Sequence, residues 1–133
     1  MKTYIGLKQI MAEPQSYAAA HPLVEIAEDR DEPGYKVVYP DGYESWSPQA
    51  VFEEAYREID GAPFSIALEG IKRGEKWTRS GWNGPGQWIA AQIPDEHSKM
   101  GAPYIYISPV GGALVPWLAS QGDMLGEDWV KVG

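Results

Sequence analysis

Two short segments of the chain combine tryptophan with glycine and small polar side chains, residue types that suit recognition of a flat, polar ligand. The first is residues 79–86 (Arg-Ser-Gly-Trp-Asn-Gly-Pro-Gly), and the second is residues 115–125 (Val-Pro-Trp-Leu-Ala-Ser-Gln-Gly-Asp-Met-Leu). A nucleobase that stacks on an aromatic ring gains roughly 1–3 kcal/mol. We therefore expect Trp82, Trp88 and Trp117 to offer stacking faces to a ligand.

The polar groups of residues 79–86 fit the same ligand class. Asn83 is the only asparagine of the chain, and its amide can donate to and accept from a base edge or a ribose hydroxyl. Gly81, Gly84 and Gly86 allow a close approach of the backbone and can present N–H groups to phosphates. Arg79 can bind a phosphate with two hydrogen bonds. A structural interpretation has equal weight on these residues alone, since Asn-Gly is a common turn and Arg79 can pair with an acid.

Most enzyme and metal chemistries lack their residues in this sequence. It has no cysteine, and its two histidines, His21 and His97, lie far apart without neighbouring metal ligands. Asp95-Glu96-His97 is better explained as a solvated loop than as an acid–base set. We find no nucleophile elbow, Walker loop or dinucleotide fingerprint. These observations favour binding over catalysis and predict no cofactor.

The charge distribution argues against DNA and RNA as partners. The net charge is −8, and residues 1–60 carry 5 basic and 12 acidic side chains, against 6 and 7 in residues 61–133. An anionic small ligand is therefore compatible with the second half of the chain. No apolar run has the roughly 18 residues that a membrane span needs, and no leader precedes the first strand, so we expect a soluble intracellular protein.

The second half reads as a small α+β domain. Phe64, Ala67, Leu68 and Ile71 have helical spacing, and Gly74 with its preceding cations is typical of a helix end. Strands are predicted at residues 77–79, 87–93, 104–108 and 129–132, with a turn at 110–113 that leads into 114–116 and a helical turn within 118–125. The fold class we expect is α+β, with a short helix packed on a small antiparallel β-sheet.

The first half predicts a separate strand, hairpin and helix module. Residues 2–12 have strand composition, 13–33 read as a long acidic connection, and 35–39 and 43–46 flank an Asp-Gly turn. Ser47-Pro48 is typical of a helix start, followed by an apolar face of Val51, Phe52, Ala55 and Tyr56. A breaker cluster at residues 60–63 indicates the boundary, giving modules 1–60 and 61–133.

The motifs of residues 63–132 resemble a phage family, the second Thoeris anti-defence family. The shared pattern is the helix with Lys72 and Gly74, then Arg79-x-Gly81-Trp82-Asn83-Gly84-x-Gly86, then Pro103-Tyr104-Ile105, then residues 115–129. The resemblance implies a protein that sequesters glycocyclic ADP-ribose, the messenger of bacterial TIR-domain proteins, without degrading it. It further implies a homotetramer in the cytoplasm of the infected host, with ligand pockets between protomers. Some members also hold CBASS cyclic dinucleotides at a separate site, and the resemblance leaves open whether this chain does.

Carried over by motif, the resemblance assigns the messenger pocket to two segments. The motif match carries over Trp82, Asn83, Gly84, Trp117, Ser120, Gln121 and Asp123 as ligand-binding residues. The residue chemistry described above adds Arg79 and Trp88 to the expected site. This chain departs from the family pattern at Gly122, Gly126 and Trp88, where members often carry other residues. The N-terminal 60 residues lie outside the family domain and resemble a small phage module without an assigned activity.

Two alternatives to sequestration follow from other features of the sequence. Asp123, Glu127 and Asp128 lie near the expected pocket and could belong to an enzyme that cleaves such messengers. The acidic first half could instead serve as a docking surface in a protein-interaction module.

Overall fold

A computed structural model describes residues 1–6 and 8–133 of the chain. The chain divides into two compact units, Met1–Arg57 and Glu58–Gly133. Each has its own sheet, so we describe them one at a time.

The N-terminal unit is a three-stranded antiparallel sheet with short helices. Its strands lie in the order β1-β2-β3. The elements are β1 (Met11–Pro14), α1 (Tyr17–Ala20), a 3₁₀ helix (Glu28–Arg30), β2 (Gly34–Val38), β3 (Glu44–Pro48) and α2 (Gln49–Ala55). The predicted hairpin is confirmed, because β2 pairs with β3 across the turn that contains Gly42, whose φ is 89°.

The predicted strand at residues 2–12 is wrong for most of its length. Only Met11 and Ala12 of it belong to β1, and residues 1–6 and 8–10 have no regular structure; Leu7 lies outside the described residues. A strand requires a partner edge. Strand β2 ends at Val38 opposite Met11, and Tyr39 then turns the chain through a hydrogen bond from its N–H to the Tyr43 carbonyl. The N-terminal residues have a composition that suits a strand, but no strand in the described part of the chain runs alongside residues 1–6 and 8–10.

Two further details of this unit differ from the prediction. The connection at 13–33 contains α1, which Ser16 caps by accepting a hydrogen bond from Ala19 N–H at 3.2 Å, and the 3₁₀ helix. Ser47 lies in β3 and does not cap α2; its hydroxyl donates to the Pro48 carbonyl at 3.4 Å instead. Pro48 occupies the cap position without a side-chain bond. Phe52 packs against Tyr35 and Tyr56, while Val51 is 58% exposed, so the apolar face of α2 is narrower than predicted.

The C-terminal unit packs one helix on a five-stranded antiparallel sheet. Its strand order is β7-β6-β5-β4-β8. The elements are α3 (Phe64–Lys72), β4 (Lys76–Arg79), β5 (Trp88–Gln92), β6 (Tyr104–Ser108), β7 (Val115–Pro116), α4 (Gln121–Leu125) and β8 (Trp129–Val132). This arrangement confirms the predicted α+β fold class.

The core of this unit lies between α3 and one face of the sheet. Ala67 and Ile71 of α3 pack against Trp77, Ile89 and Trp129 of the strands, and all five are buried. Because side chains alternate across a strand, the neighbours of these strand residues point to the opposite face. The two faces of the sheet therefore differ, since α3 covers one of them.

Candidate functional site

The two tryptophan-containing segments lie beside each other in the C-terminal unit. The first begins at the end of β4 and continues as the loop to β5, while the second leaves β7 and enters α4. Backbone hydrogen bonds anchor both, from Ser80 N–H to the Asp128 carbonyl at 3.1 Å and from Trp117 N–H to the Ile105 carbonyl at 2.9 Å. The fold therefore brings together residues that are 40 positions apart in the chain.

Arg79 is the centre of a hydrogen-bonded network that joins these segments. Its Nε donates to Asp128 Oδ1 at 2.8 Å, and its Nη1 donates to Asp123 Oδ1 at 2.9 Å. Trp82 Nε1 donates to the same Asp123 oxygen at 3.0 Å, and Gly81 N–H donates to Asp128 Oδ2 at 2.8 Å. We call these five residues the Arg79 network. The Arg79 guanidinium, which the sequence suggested as a phosphate ligand, therefore donates to these two acids.

The electrostatics of the network hold both acids in the ionised form. Burial acts to raise the pKa of Asp123, but hydrogen bonds from Trp82, the Ser120 backbone and Arg79 outweigh it and lower the pKa below the usual aspartate value. The pKa of Asp128 is lowered in the same way, with burial opposed by Arg79 and Gly81 N–H. The hydrogen bond to Asp128 raises the pKa of Arg79. One cation and two anions leave an excess of one negative charge.

Gly126 provides the space that the guanidinium occupies. A Cβ atom built at this position would lie 2.8 Å from Arg79 Nη2 and 2.9 Å from Cζ. Contacts this short require the neighbour to move, and two carboxylates hold Arg79 in place. Gly126, one of the departures from the family pattern, therefore leaves the space that the Arg79 guanidinium occupies in this chain.

Four aromatic rings form a cluster beside the network. Trp82 and Trp117 have ring centroids 6.3 Å apart, and both contact Trp129, at 5.4 and 6.2 Å. Phe64 of α3 completes the aromatic cluster. Trp129 is fully buried, whereas Trp82 and Trp117 are half-buried. The rings of Trp82 and Trp117 therefore pack against the core on one side and reach the surface on another.

The loop from Trp82 to Gly86 is held by Gln87, which precedes β5. Gln87 Nε2 donates to the Asn83 carbonyl at 2.9 Å and to the Gly84 carbonyl at 3.1 Å. Gly84 has a φ of 113°, a conformation that side chains with a Cβ rarely adopt. The Asn83 side chain is exposed. Its amide has no hydrogen-bond partner among residues 1–6 and 8–133 and is free to meet a ligand.

The second segment supplies one structural and one exposed polar side chain. Ser120 and Asp123 form a capping box at α4: Ser120 Oγ accepts from Asp123 N–H, and Asp123 Oδ2 accepts from Ser120 N–H, both at 3.0 Å. Gln121 is the first residue of α4 and is exposed. Of the two, Gln121 presents its amide to solvent and Ser120 stabilises the helix.

The structure does not bring Trp88 to the other predicted site residues within one chain. Trp88 precedes the core residue Ile89 on β5 and therefore faces the side of the sheet that α3 does not cover. There its ring meets Tyr106 edge-on at 5.9 Å, and Lys76 Nζ lies 4.3 Å above it. Trp82 and Trp117 lie on the covered side.

The unit also has an apolar cavity of about 550 Å³, lined by residues other than the nine predicted ones. Tyr104, Tyr106 and Pro116 belong to its walls, with Leu114 and the loop before β6. Size alone does not make it the functional site, because its lining contains one amide, that of Gln92, and no charged side chain, in contrast to the groups around Arg79.

The sequence alone missed the role of Gln87. Its only signal was its place directly after a glycine-rich turn, where a side chain can reach back to the turn carbonyls. Phe64 was assigned to a helix face and not to the aromatic cluster. Asp128 was noted as an acid near the pocket and Arg79 as a residue that can pair with an acid, but the sequence did not indicate that these two residues pair with each other.

Comparison with known proteins now identifies the domain. A model of the Tad2-like family, described as the Thoeris anti-defense 2-like domain, matches residues 62–132, more than half of the chain. The chain therefore belongs to the Tad2-like family, and this membership supports a phage anti-defence role. A search of curated proteins finds no significant match.

The described residues contain neither a membrane-spanning helix nor a metal-binding cluster. In residues 1–6 and 8–133, no helix is long and apolar enough to cross a membrane. The same residues contain no group of three or more histidine or acidic side chains arranged to hold a metal ion.

Proposed function

We propose that this protein binds and sequesters glycocyclic ADP-ribose, the second messenger of Thoeris defence, and releases it unchanged. The observation that carries the proposal is the Tad2-like family match over residues 62–132. Removing the messenger from solution deprives the host effector of its signal, and this requires affinity but no turnover. The host cytoplasm, where the messenger is made, is the proposed place of action.

The geometry supports different roles for the nine predicted residues. Asn83 and Gln121 present exposed amides, and Trp82 and Trp117 reach the surface at the edge of the aromatic cluster. Gly84 shapes the loop that carries Asn83. Arg79, Asp123 and Ser120 bond mainly to one another and to their neighbours, so we propose that they position the site. Trp88 would contribute only to a ligand on the other sheet face.

The state of the acids favours binding over cleavage. An acid catalyst needs a carboxyl that can carry a proton near neutral pH. Asp123 and Asp128 have lowered pKa values and accept hydrogen bonds on both carboxylate oxygens. Neither therefore suits the role of general acid in the alternative, a messenger-degrading enzyme.

The distinguishing experiment mixes purified protein with glycocyclic ADP-ribose, removes unbound ligand and denatures the complex by heat. Intact messenger in a stoichiometric amount is the expected result. Product that accumulates at substoichiometric protein would establish the enzyme instead. The same protein without ligand, sized by sedimentation, tests the proposed homotetramer.

Asn83→Ala should weaken messenger binding about tenfold or more without lowering stability. The exposed amide has no partner in the described part of the chain, so its removal costs the fold little, whereas a ligand would lose its hydrogen bonds. Calorimetric titration and thermal unfolding of the same samples measure the two effects. Gln92→Ala, an exposed amide on β5 across the sheet, is the matched control. Unchanged affinity of Asn83→Ala would mean that the pocket lies elsewhere.

Two wider proposals concern the remaining partners. A CBASS cyclic dinucleotide titrated into the messenger-saturated protein would show whether a second, independent site exists. We also propose that the N-terminal unit, which lies outside the family match, is a docking module. Its removal should then abolish anti-defence activity in cells but leave messenger binding intact.

A further inference from the structure

Two of the five backbone carbonyls of the loop from Trp82 to Gly86 are occupied internally. Gln87 Nε2 has two hydrogens, and it donates to the Asn83 and Gly84 carbonyls. The amide also lies directly against Gly84, where an added Cβ would be 2.7 Å from Nε2. Gln87 and Gly84 therefore fit each other, and Gln87 determines the shape of the loop.

What remains for a ligand is a set of neutral hydrogen-bonding groups. The N–H groups of Asn83, Gly84 and Gly86 have no partner in the described part of the chain, and Pro85 has no N–H. The Asn83 side chain adds both a donor and an acceptor. Such a set matches the edge of a nucleobase, which alternates acceptors and donors.

The charges around the loop disfavour an anion in the same place. Gly81 N–H and the Trp82 indole both donate to carboxylates of the Arg79 network, which carries one excess negative charge. Nearby cations are engaged elsewhere, since Lys76 lies over Trp88 on the opposite sheet face and Lys131 pairs with Glu75. At separations within the Debye length of about 10 Å, a phosphate would be repelled.

We propose that Gln87 is a positioning residue that shapes the Trp82–Gly86 loop into a receptor for the neutral base edge of the ligand, and not for its phosphates. This assignment rests on the proposed messenger binding. It names Gln87, which lies outside the carried-over site residues, and it removes Arg79 as the phosphate ligand at this loop.

Gln87→Ala and Gln87→Glu test the assignment. Glutamate keeps the volume of glutamine but cannot donate to the two carbonyls, so a donor role predicts that this variant loses affinity. We expect both variants to lower affinity for glycocyclic ADP-ribose about tenfold. Gln92→Ala, a change of the same residue type at the far end of the strand that follows Gln87, should have no effect.

Salt dependence separates a base contact from a phosphate contact. If the loop binds a neutral edge, the loss of affinity on Gln87→Ala is the same at about 50 and about 300 mM salt, because screening affects charges only. A loss that shrinks at high salt would mean that the loop contacts phosphate and would overturn the assignment. Retention of wild-type affinity by Gln87→Glu would overturn the donor role.

Backbone order parameters of the ligand-free protein distinguish failure of this proposal from failure of the proposed function. We expect the order parameters of Asn83 and Gly84, whose carbonyls Gln87 holds, to fall from the range of a rigid backbone toward that of a flexible one in Gln87→Ala, with the melting temperature little changed. Wild-type protein that does not bind the messenger would refute the proposed function and the base assignment together. The order parameters would still decide whether Gln87 holds the loop, and equal values in wild type and Gln87→Ala would refute that.

Discussion

Arg79 was expected to bind a phosphate of the ligand, but in the structure its guanidinium pairs with two aspartates and stabilises the fold. Its guanidinium bonds to Asp123 of the second segment and to Asp128, which directly precedes β8, and its side chain is only 19% exposed. Arginine suits this position because its planar group offers several donors in fixed directions, whereas lysine offers one point charge. The interaction holds the end of β4 against α4 and the start of β8.

Arg79→Lys should therefore lower the free energy of unfolding of the C-terminal unit by about 2 kcal/mol, since two partly buried carboxylates lose directed partners. Urea unfolding followed by tryptophan fluorescence measures this, because five of the six tryptophans belong to that unit. Lys72→Arg, at an exposed position paired with Glu69, is the control and should change little. A loss below about 0.5 kcal/mol for Arg79→Lys would contradict the structural role.

The lowered pKa values of Asp123 and Asp128 predict a specific loss of stability in acid. Both acids release protons more readily in the folded state than in the unfolded chain, whose aspartates titrate near about pH 3.9. Their contribution is complete above that unfolded value and is lost as the pH falls toward the folded values. Stability should therefore fall from about pH 5 to about pH 2.

Asp128→Asn should flatten this pH profile while lowering stability at neutral pH. Urea midpoints measured across that range are the test. Asp60→Asn, an exposed aspartate, should leave the shape of the profile unchanged. An identical slope in wild type and Asp128→Asn would show that other groups govern the acid transition.

At the scale of elements, the short helix α4 depends on its capping box. Five residues are too few for a helix to persist without fixed ends, and the reciprocal bonds between Ser120 and Asp123 supply one of them. The Trp129 indole, which donates to the Asp123 carbonyl at 2.9 Å, ties the same turn to the core.

Ser120→Ala and Gln121→Ala should separate folding from binding within this segment. Ser120→Ala removes the cap and should cost about 1 kcal/mol of stability. Gln121→Ala removes an exposed amide and should leave stability unchanged while weakening messenger binding under the proposed function. Thermal unfolding and titration of each variant give both values. The reverse pattern, with Ser120 affecting binding alone, would make Ser120 a ligand residue.

At the scale of the whole molecule, the two units have separate cores. The residues buried with Trp77 and Trp129 all lie between Ala62 and Trp129, whereas the rings of Tyr35, Phe52 and Tyr56 stack within the N-terminal unit. A hydrophobic core within one segment is what independent folding requires.

A fragment of residues 58–133 should therefore fold without the rest and keep the messenger affinity of the full chain. Cooperative urea unfolding and calorimetric titration are the measurements. The fragment 1–57, with its single tryptophan Trp46, is the companion sample. A 58–133 fragment without a cooperative transition would show that the C-terminal unit depends on the first.

The sequence by itself determined the local elements of residues 61–133 and the α+β class. The helix at 64–72, the strand at 104–108 and the strand at 129–132 follow from side-chain periodicity and breakers, which act over a few residues. The motifs also sufficed for the family, which the match over residues 62–132 shows.

Only the tertiary structure decided which side chains meet. Residues 2–12 have strand composition, yet only the part opposite β2 pairs, because a strand exists only where a partner edge continues. Arg79 meets Asp123 and Asp128, 44 and 49 positions along the chain, and Trp88 faces away from Trp82 because of the pleat and register of β5. Long-range pairing and the face of a sheet are properties of the packed chain, which no local pattern contains.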